Sequence, residues 1–256
     1  MRVKRHLILI IVGTFLVGTL FFIGRSGIEA KGRFQPDQET SQQQIIDELL
    51  KSDSGNIADA VELVTGQHAF MYHDMKPVYK TKMAGIAATA VQRRVLKNDK
   101  TEYPNLAMQI LDEAAPGSVL VYVLEDGLDI AGIGTLMSTA AKVRGLAGAV
   151  IDGGARDVDD IEALSFPVFS RSLTPATSVG RLVSVAKQVP VTCAGVYVRP
   201  GDYIMGDRAG VVVVPADKVA KVLEELRGIN DKEKKMIPII REQKSMMKAL
   251  EKYNRF

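Results

Sequence analysis

The chain has 256 residues, 46% of them hydrophobic and 25% charged, the proportions of an ordinary globular protein rather than a disordered or fibrous one. A single cysteine, Cys193, excludes an intramolecular disulfide framework and a cysteine-based metal cluster, and three histidines without HxH or HExxH spacing point away from a histidine-rich zinc site. The net charge of +3 resides in residues 1–30, where Arg2, Lys4, Arg5 and Arg25 face only Glu29; the remainder is neutral, so nothing in the charge balance indicates a nucleic-acid surface.

Residues 1–6 are basic, and residues 7–24 are uncharged and almost wholly apolar. As a helix these 18 residues span about 27 Å, close to the ~30 Å hydrocarbon core of a bilayer. A signal peptide has an apolar stretch of about 7–15 residues and small residues at its cleavage site. This run is longer, and Gly27-Ile28-Glu29-Ala30 is a poor match to such a site. Residues 1–30 therefore read as an uncleaved signal anchor, with a cleaved signal peptide as the alternative. The basic head favours a cytoplasmic N-terminus. That orientation places residues 31–256, one domain on a tether, outside the cytoplasm: membrane-anchored, or secreted or periplasmic if the segment is removed.

Residues 31–42 are polar and read as a linker entering a helix over 43–51, which Ser52–Gly55 ends. Asn56 has the chemistry of an N-cap for a second helix, IADAVELV. Short apolar runs bounded by glycine and proline predict strands over 83–91, 118–124, 147–152, 166–170, 191–198 and 210–214. Helical patterns lie between them over 135–144 and 157–164. Strand–helix–strand alternation across 118–170 predicts an α/β core with a partly parallel sheet. Pro215 closes the last strand, and 216–254 reads as a long charged helical tail.

Two segments carry chemistry. In Ala131-Gly132-Ile133-Gly134-Thr135-Leu136-Met137-Ser138, a glycine-rich turn runs into a helix and exposes backbone N–H groups at the positive end of its dipole, where a carboxylate or phosphate can sit. Alone, such a turn is better explained by tight packing. Ile151-Asp152-Gly153-Gly154-Ala155-Arg156-Asp157 is more specific: it ends a strand where ligands of parallel α/β sheets bind. Arg156 offers a forked, permanently charged donor, and Asp157 a hard oxygen ligand suited to Mg²⁺. A helix cap and a surface ion pair are the alternatives. Asp159 and Asp160 read as acidic residues of a first helical turn. Asp202 and Asp207, in the turn-rich stretch 200–210, read as turn-forming. His73 and Asp74 read as surface loop residues, and Cys193 as a small buried hydrophobe.

Taken in order, Gly134-Thr135-Leu136-Met137, Gly153-Gly154-Ala155-Arg156-Asp157 and Pro200-Gly201-Asp202 through Gly210-Val211-Val212-Val213-Val214-Pro215 resemble the RraA-like family. Asn56–Ala60, Met75-Lys76-Pro77 and Gly85–Thr89 add supporting matches, so the resemblance covers about residues 45–240. The family includes the 4-hydroxy-4-methyl-2-oxoglutarate/4-carboxy-4-hydroxy-2-oxoadipate aldolases and the regulator of ribonuclease activity A. The resemblance implies an α/β domain of swivelling-domain-like topology with a mixed central sheet, assembled as a homotrimer or hexamer. It also implies a class II lyase needing a divalent cation (Mg²⁺ or Mn²⁺) that releases pyruvate from a 2-oxo acid and decarboxylates oxaloacetate.

By position, Arg156 matches the family's substrate-binding arginine and Asp157 its metal-binding aspartate. Gly134, Thr135, Leu136 and Met137 match the loop whose amides hold the pyruvate carboxylate. The ribonuclease regulators have a neutral residue in place of the aspartate, so Asp157 favours the enzyme. A non-catalytic regulator or binding protein is the alternative. Thr135 stands where the aldolases carry an acid. The tail residue Glu233 corresponds loosely to an acid that a neighbouring subunit contributes.

Overall fold

The computed structural model describes residues 41–96 and 98–253. The anchor or signal segment expected at 1–30 lies outside them. Among the described residues, no helix is long and apolar enough to cross a membrane.

Two helices open the described chain. Ser41 caps α1 (Gln42–Lys51) in a reciprocal capping box with Gln44. α2 (Ser54–Thr65) begins two residues before the expected Asn56, which therefore lies inside the first turn. Its cap comes from far along the chain: the Asp207 carboxylate accepts from the Ser54 amide at 2.9 Å and the Ser54 hydroxyl at 2.8 Å. No local spacing signals this. Asn56 instead donates to Asn230 and Glu233 of its own chain.

The centre is a mixed nine-stranded sheet of β1 (Lys76–Pro77), β2 (Met83–Arg94), β3 (Ser118–Leu124), β4 (Ala131–Ile133), β5 (Gly148–Ala155), β6 (Val168–Leu173), β7 (Leu182–Lys187), β10 (Tyr203–Gly206) and β11 (Val211–Val214). The parallel strands β2, β3, β5 and β6 are joined through α3 (Leu106–Glu113), α4 (Thr135–Val143) and α5 (Val158–Ala163). The units built on α4 and α5 are the alternation expected across 118–170, while α3 is a helix that the sequence reading does not anticipate. The expected strand over 191–198 is instead a hairpin of β8 (Val191–Cys193) and β9 (Val196–Val198). Ala194 (φ 44°) and Gly195 (φ 84°) turn the chain there. The tail also divides: a 3-10 turn (Ala216–Lys218) leads into α6 (Val219–Gln243), and Lys244 in the left-handed region separates it from α7 (Met246–Lys252).

Both faces of the parallel strands are buried, which is why their sequences are apolar without alternation. One face, with Leu120, Tyr122 and Ile151, packs on Ile110 of α3, Ala141 of α4 and Ile161 of α5. The other, with Val119, Val121 and Val150, packs on the β8–β9 hairpin, including the fully buried Cys193. Burial pushes that thiol well above the usual range. α1, α2 and α6 cover β10 and β11 in a third cluster.

Candidate active site

The glycine turn after β4 and the turn after β5 meet because these strands pair in parallel, Ala131 opposite Gly154 and Ile133 opposite Ala155. The Arg156 amide extends the pairing by donating to the Ile133 carbonyl at 3.1 Å. Asp157 follows with φ 55° and ψ 41°, a left-handed conformation that aspartate tolerates better than most side chains. That turn directs its carboxylate back over the start of α4. There Oδ2 accepts the Thr135 amide at 3.1 Å and lies 3.5 Å from Arg156 Nε. Gly134 makes the approach possible, since a Cβ on it would stand 2.5 Å from that same oxygen.

The first helical hydrogen bond of α4 runs from the Ser138 amide to the Gly134 carbonyl. With the Thr135 amide bonded to Asp157, the N–H groups of Leu136 and Met137 remain at the positive end of the helix without an intrahelical acceptor. Of the four residues Gly134–Met137, these two offer amides to an anion. The Thr135 hydroxyl donates to Asp160 Oδ2 at 2.8 Å, which brings a second carboxylate to the rim. Asp160 thus does more here than complement a helix dipole. The side chains of Arg156 and Asp157 are 40% and 38% exposed, and their pairing is loose enough to admit a ligand.

The turn opens into a pocket of about 490 Å³, within the usual range for a small-molecule site. Gly132–Met137 and Arg156 form one wall; Asn105, Met108 and the 177–184 segment form another, with Gln92 in the lining. Among the described residues no group of three or more His, Cys, Asp and Glu side chains could hold a metal ion. Asp157, whose contacts fall on Oδ2, is not among the residues lining this pocket; it is the carboxylate at the turn that would hold a cation. That donor fits a hard cation such as Mg²⁺, which commonly takes one or two carboxylates.

A second charged group escapes the sequence reading. Arg171 on β6 forms a fork with Asp74, Nε and Nη2 donating at 2.9–3.1 Å, and its Nη1 donates to Asp152 at 2.9 Å. Its guanidinium lies 5.2 Å from the Tyr72 ring centroid. Asp152 also accepts the Ala194 amide at 2.6 Å. Asp74 is therefore a clamped residue rather than a free surface one, and the Arg171 hydrogen bonds hold its carboxyl below the usual range. Asp202 is buried and bonded to Arg199 and to the Ala216 amide, and Asp207 accepts the Ala209 amide within its own turn, as expected, but also caps α2, which is not expected.

Comparison with known proteins identifies the family. A family model described as RraA-like (Aldolase/RraA) matches residues 54–213. A relative from Halalkalibacterium halodurans, whose name carries a provisional assignment as a 4-hydroxy-4-methyl-2-oxoglutarate aldolase, is 38% identical over 128 residues, 48% of this chain and 59% of the relative. The chain spans about half the length of the first curated relatives it matches. A crystal structure of an uncharacterized protein from Pseudomonas syringae pv. tomato superposes with a TM-score of 0.75 at 26% identity, covering 89% of this chain and 100% of that one. Streptomyces coelicolor RraAS2, described as an unusual member of the RNase ES inhibitor RraA protein family, superposes with a TM-score of 0.67 at 26% identity, over 77% of this chain and 97% of that one.

Proposed function

The chain belongs to the RraA-like family, and on that premise we propose that it is a divalent-metal-dependent carbon–carbon lyase. It cleaves 2-oxo acids of the 4-hydroxy-4-methyl-2-oxoglutarate type to pyruvate and decarboxylates oxaloacetate as a side reaction. The observation that carries the reading is the convergence of Asp157, Arg156 and the free amides of α4 on one turn.

The Leu136 and Met137 amides hold the carboxylate of the 2-oxo acid, where the helix dipole adds to their hydrogen bonds. Arg156 faces the 2-oxo oxygen and stabilises the negative charge that develops there as the C3–C4 bond breaks. Asp157, with Asp160 beside it, would hold the cation, which when bound supplies Lewis-acid polarisation of the same oxygen. In the cleavage, the C4 hydroxyl loses its proton and becomes a carbonyl. The electron pair of the C3–C4 bond passes to C3 as an enolate, which takes up a proton to give pyruvate.

Under the same reading the chain assembles as a homotrimer or hexamer, in which the exposed Leu136 (84%) and Val179 (79%) of the pocket lining would be candidates for burial. As part of the same proposal, residues 7–24 hold the domain at a membrane outside the cytoplasm, or are cleaved to release it.

Similarity to Streptomyces RraAS2 favours a second reading, a regulator or binding protein without turnover. Pyruvate release from oxaloacetate by the full chain separates the two. The enzyme reading expects turnover with Mg²⁺ or Mn²⁺ that excess EDTA removes; no turnover with either metal supports the regulator.

A further inference from the structure

Gln92 is 92% buried and lines the pocket, yet its side-chain oxygen has no hydrogen-bond partner. Among the described residues only one other buried side-chain polar atom shares that condition, Ser138 Oγ, and Ser138 does not line the pocket. A buried amide oxygen without a partner is costly, so its position calls for a physical reason.

A break in strand register lies beside it. Val91 pairs with Ala186 of β7, but Gln92 pairs with Ser184, so Val185 is an extra residue at that point. Such bulges redirect side chains and are common beside active sites. On its other side Gln92 pairs with Leu124 of β3, whose side chain lies 2.9 Å from where a Cβ on Gly132 would stand. Gln92 thus sits one strand away from the support of the anion-binding turn. Its Nε2 donates to Ser184 Oγ at 3.4 Å, and that hydroxyl is itself fixed by the Ala107 amide at 3.1 Å. The carboxamide is anchored at one end and buried without a partner at the other.

We infer that Gln92 is a specificity-determining residue whose carboxamide binds a hydroxyl on the half of the substrate beyond the 2-oxo acid. This deepens the lyase reading and rests on it. The Arg156 end of the pocket is built of donors and takes an anion; Gln92 Oε1 is an acceptor and would repel a second carboxylate. A hydroxyl both donates and accepts, so it satisfies the carboxamide whichever way the amide is turned. A substrate lacking that hydroxyl leaves the amide unpaired, the arrangement by which polar sites discriminate most strongly.

The test compares full-length wild type, Gln92→Leu and Gln92→Asn on 4-hydroxy-4-methyl-2-oxoglutarate, which carries the hydroxyl, and on oxaloacetate, which lacks it. The ratio of kcat/KM for the hydroxy acid to that for oxaloacetate should fall about 10- to 100-fold in Gln92→Leu, mainly through KM. It should fall in the same direction in Gln92→Asn, which keeps the amide but withdraws it by one methylene. The melting temperature of ligand-free Gln92→Leu should not drop, because the substitution removes an unpaired buried acceptor. Equal losses on both substrates with a lowered melting temperature would make Gln92 structural and overturn the inference, as would an unchanged ratio in both variants. A folded wild type inactive on both substrates with Mg²⁺ and Mn²⁺ would overturn the lyase reading and this inference with it.

Discussion

Two arginine–aspartate groups, one in the turn after β5 and one centred on Arg171 of β6, have opposite characters. Arg171 makes four hydrogen bonds to Asp74 and Asp152 and is 20% exposed, its valences filled by its own chain. Arg156 is 40% exposed and touches Asp157 only at 3.5 Å, while Asp157 holds a left-handed backbone to reach the start of α4. A satisfied pair can only hold structure together. An open pair beside free amides leaves its donors and its carboxylate available, as the proposed site requires. Mutation should therefore separate them, activity falling at one and stability at the other.

The largest effect is expected at the open pair. Asp157→Asn keeps a residue that tolerates the left-handed turn and removes the charge. Metal-dependent pyruvate release should fall at least about 10³-fold, with a melting temperature within a few degrees of wild type. Gly134→Ala puts a Cβ into the space of the Asp157 carboxylate, a displacement of the kind that costs about 10²-fold in turnover; steady-state kinetics on a folded preparation measures it.

At the clamp, Arg171→Met leaves two carboxylates without their cation. Full burial of such a broken pair costs about 3–5 kcal/mol, and partial exposure here reduces that to about 2 kcal/mol. Denaturant titration should show this loss while turnover per folded molecule is kept. Asp207→Asn weakens the cap of α2 and should cost about 1 kcal/mol.

Acid should reveal the same asymmetry. Asp74 is held low by Arg171. Burial acts to raise Asp207, but its bonds from Ser54 and Ala209 and the nearby Lys82 hold it low as well. A carboxyl with a lowered folded pKa adds stability that is complete above its unfolded value of about 3.9 and is lost as pH falls through the folded pKa. Arg171→Met should therefore flatten the acid limb of the stability curve. A limb as steep as that of wild type would remove Asp74 from the account.

These two groups also differ in how far the sequence discloses them. The turn at 131–138 and the pair Arg156–Asp157 are local: glycines, a helix start and adjacent charges lie within a few residues, and the α/β alternation around them is written in continuous apolar runs. The clamp joins positions 97 and 19 residues apart, and nothing near Asp74 announces Arg171. Gln92 is hidden likewise, since its environment depends on Ser184, 92 residues away, and on a bulge that no local pattern encodes. The short strands β4, β7 and β10 are equally illegible, because they lack the unbroken β-branched run that marks the equally short β11. The hairpin at 191–198 reads as one strand because its turn is only Ala194-Gly195.

The most direct test assays Asp157→Asn and Arg171→Met side by side, as full-length chains, for pyruvate release from oxaloacetate with Mg²⁺ and for thermal unfolding. The account predicts that Asp157→Asn loses turnover and keeps its melting temperature, while Arg171→Met loses several degrees and keeps turnover per folded molecule. Full turnover by a folded Asp157→Asn would contradict it.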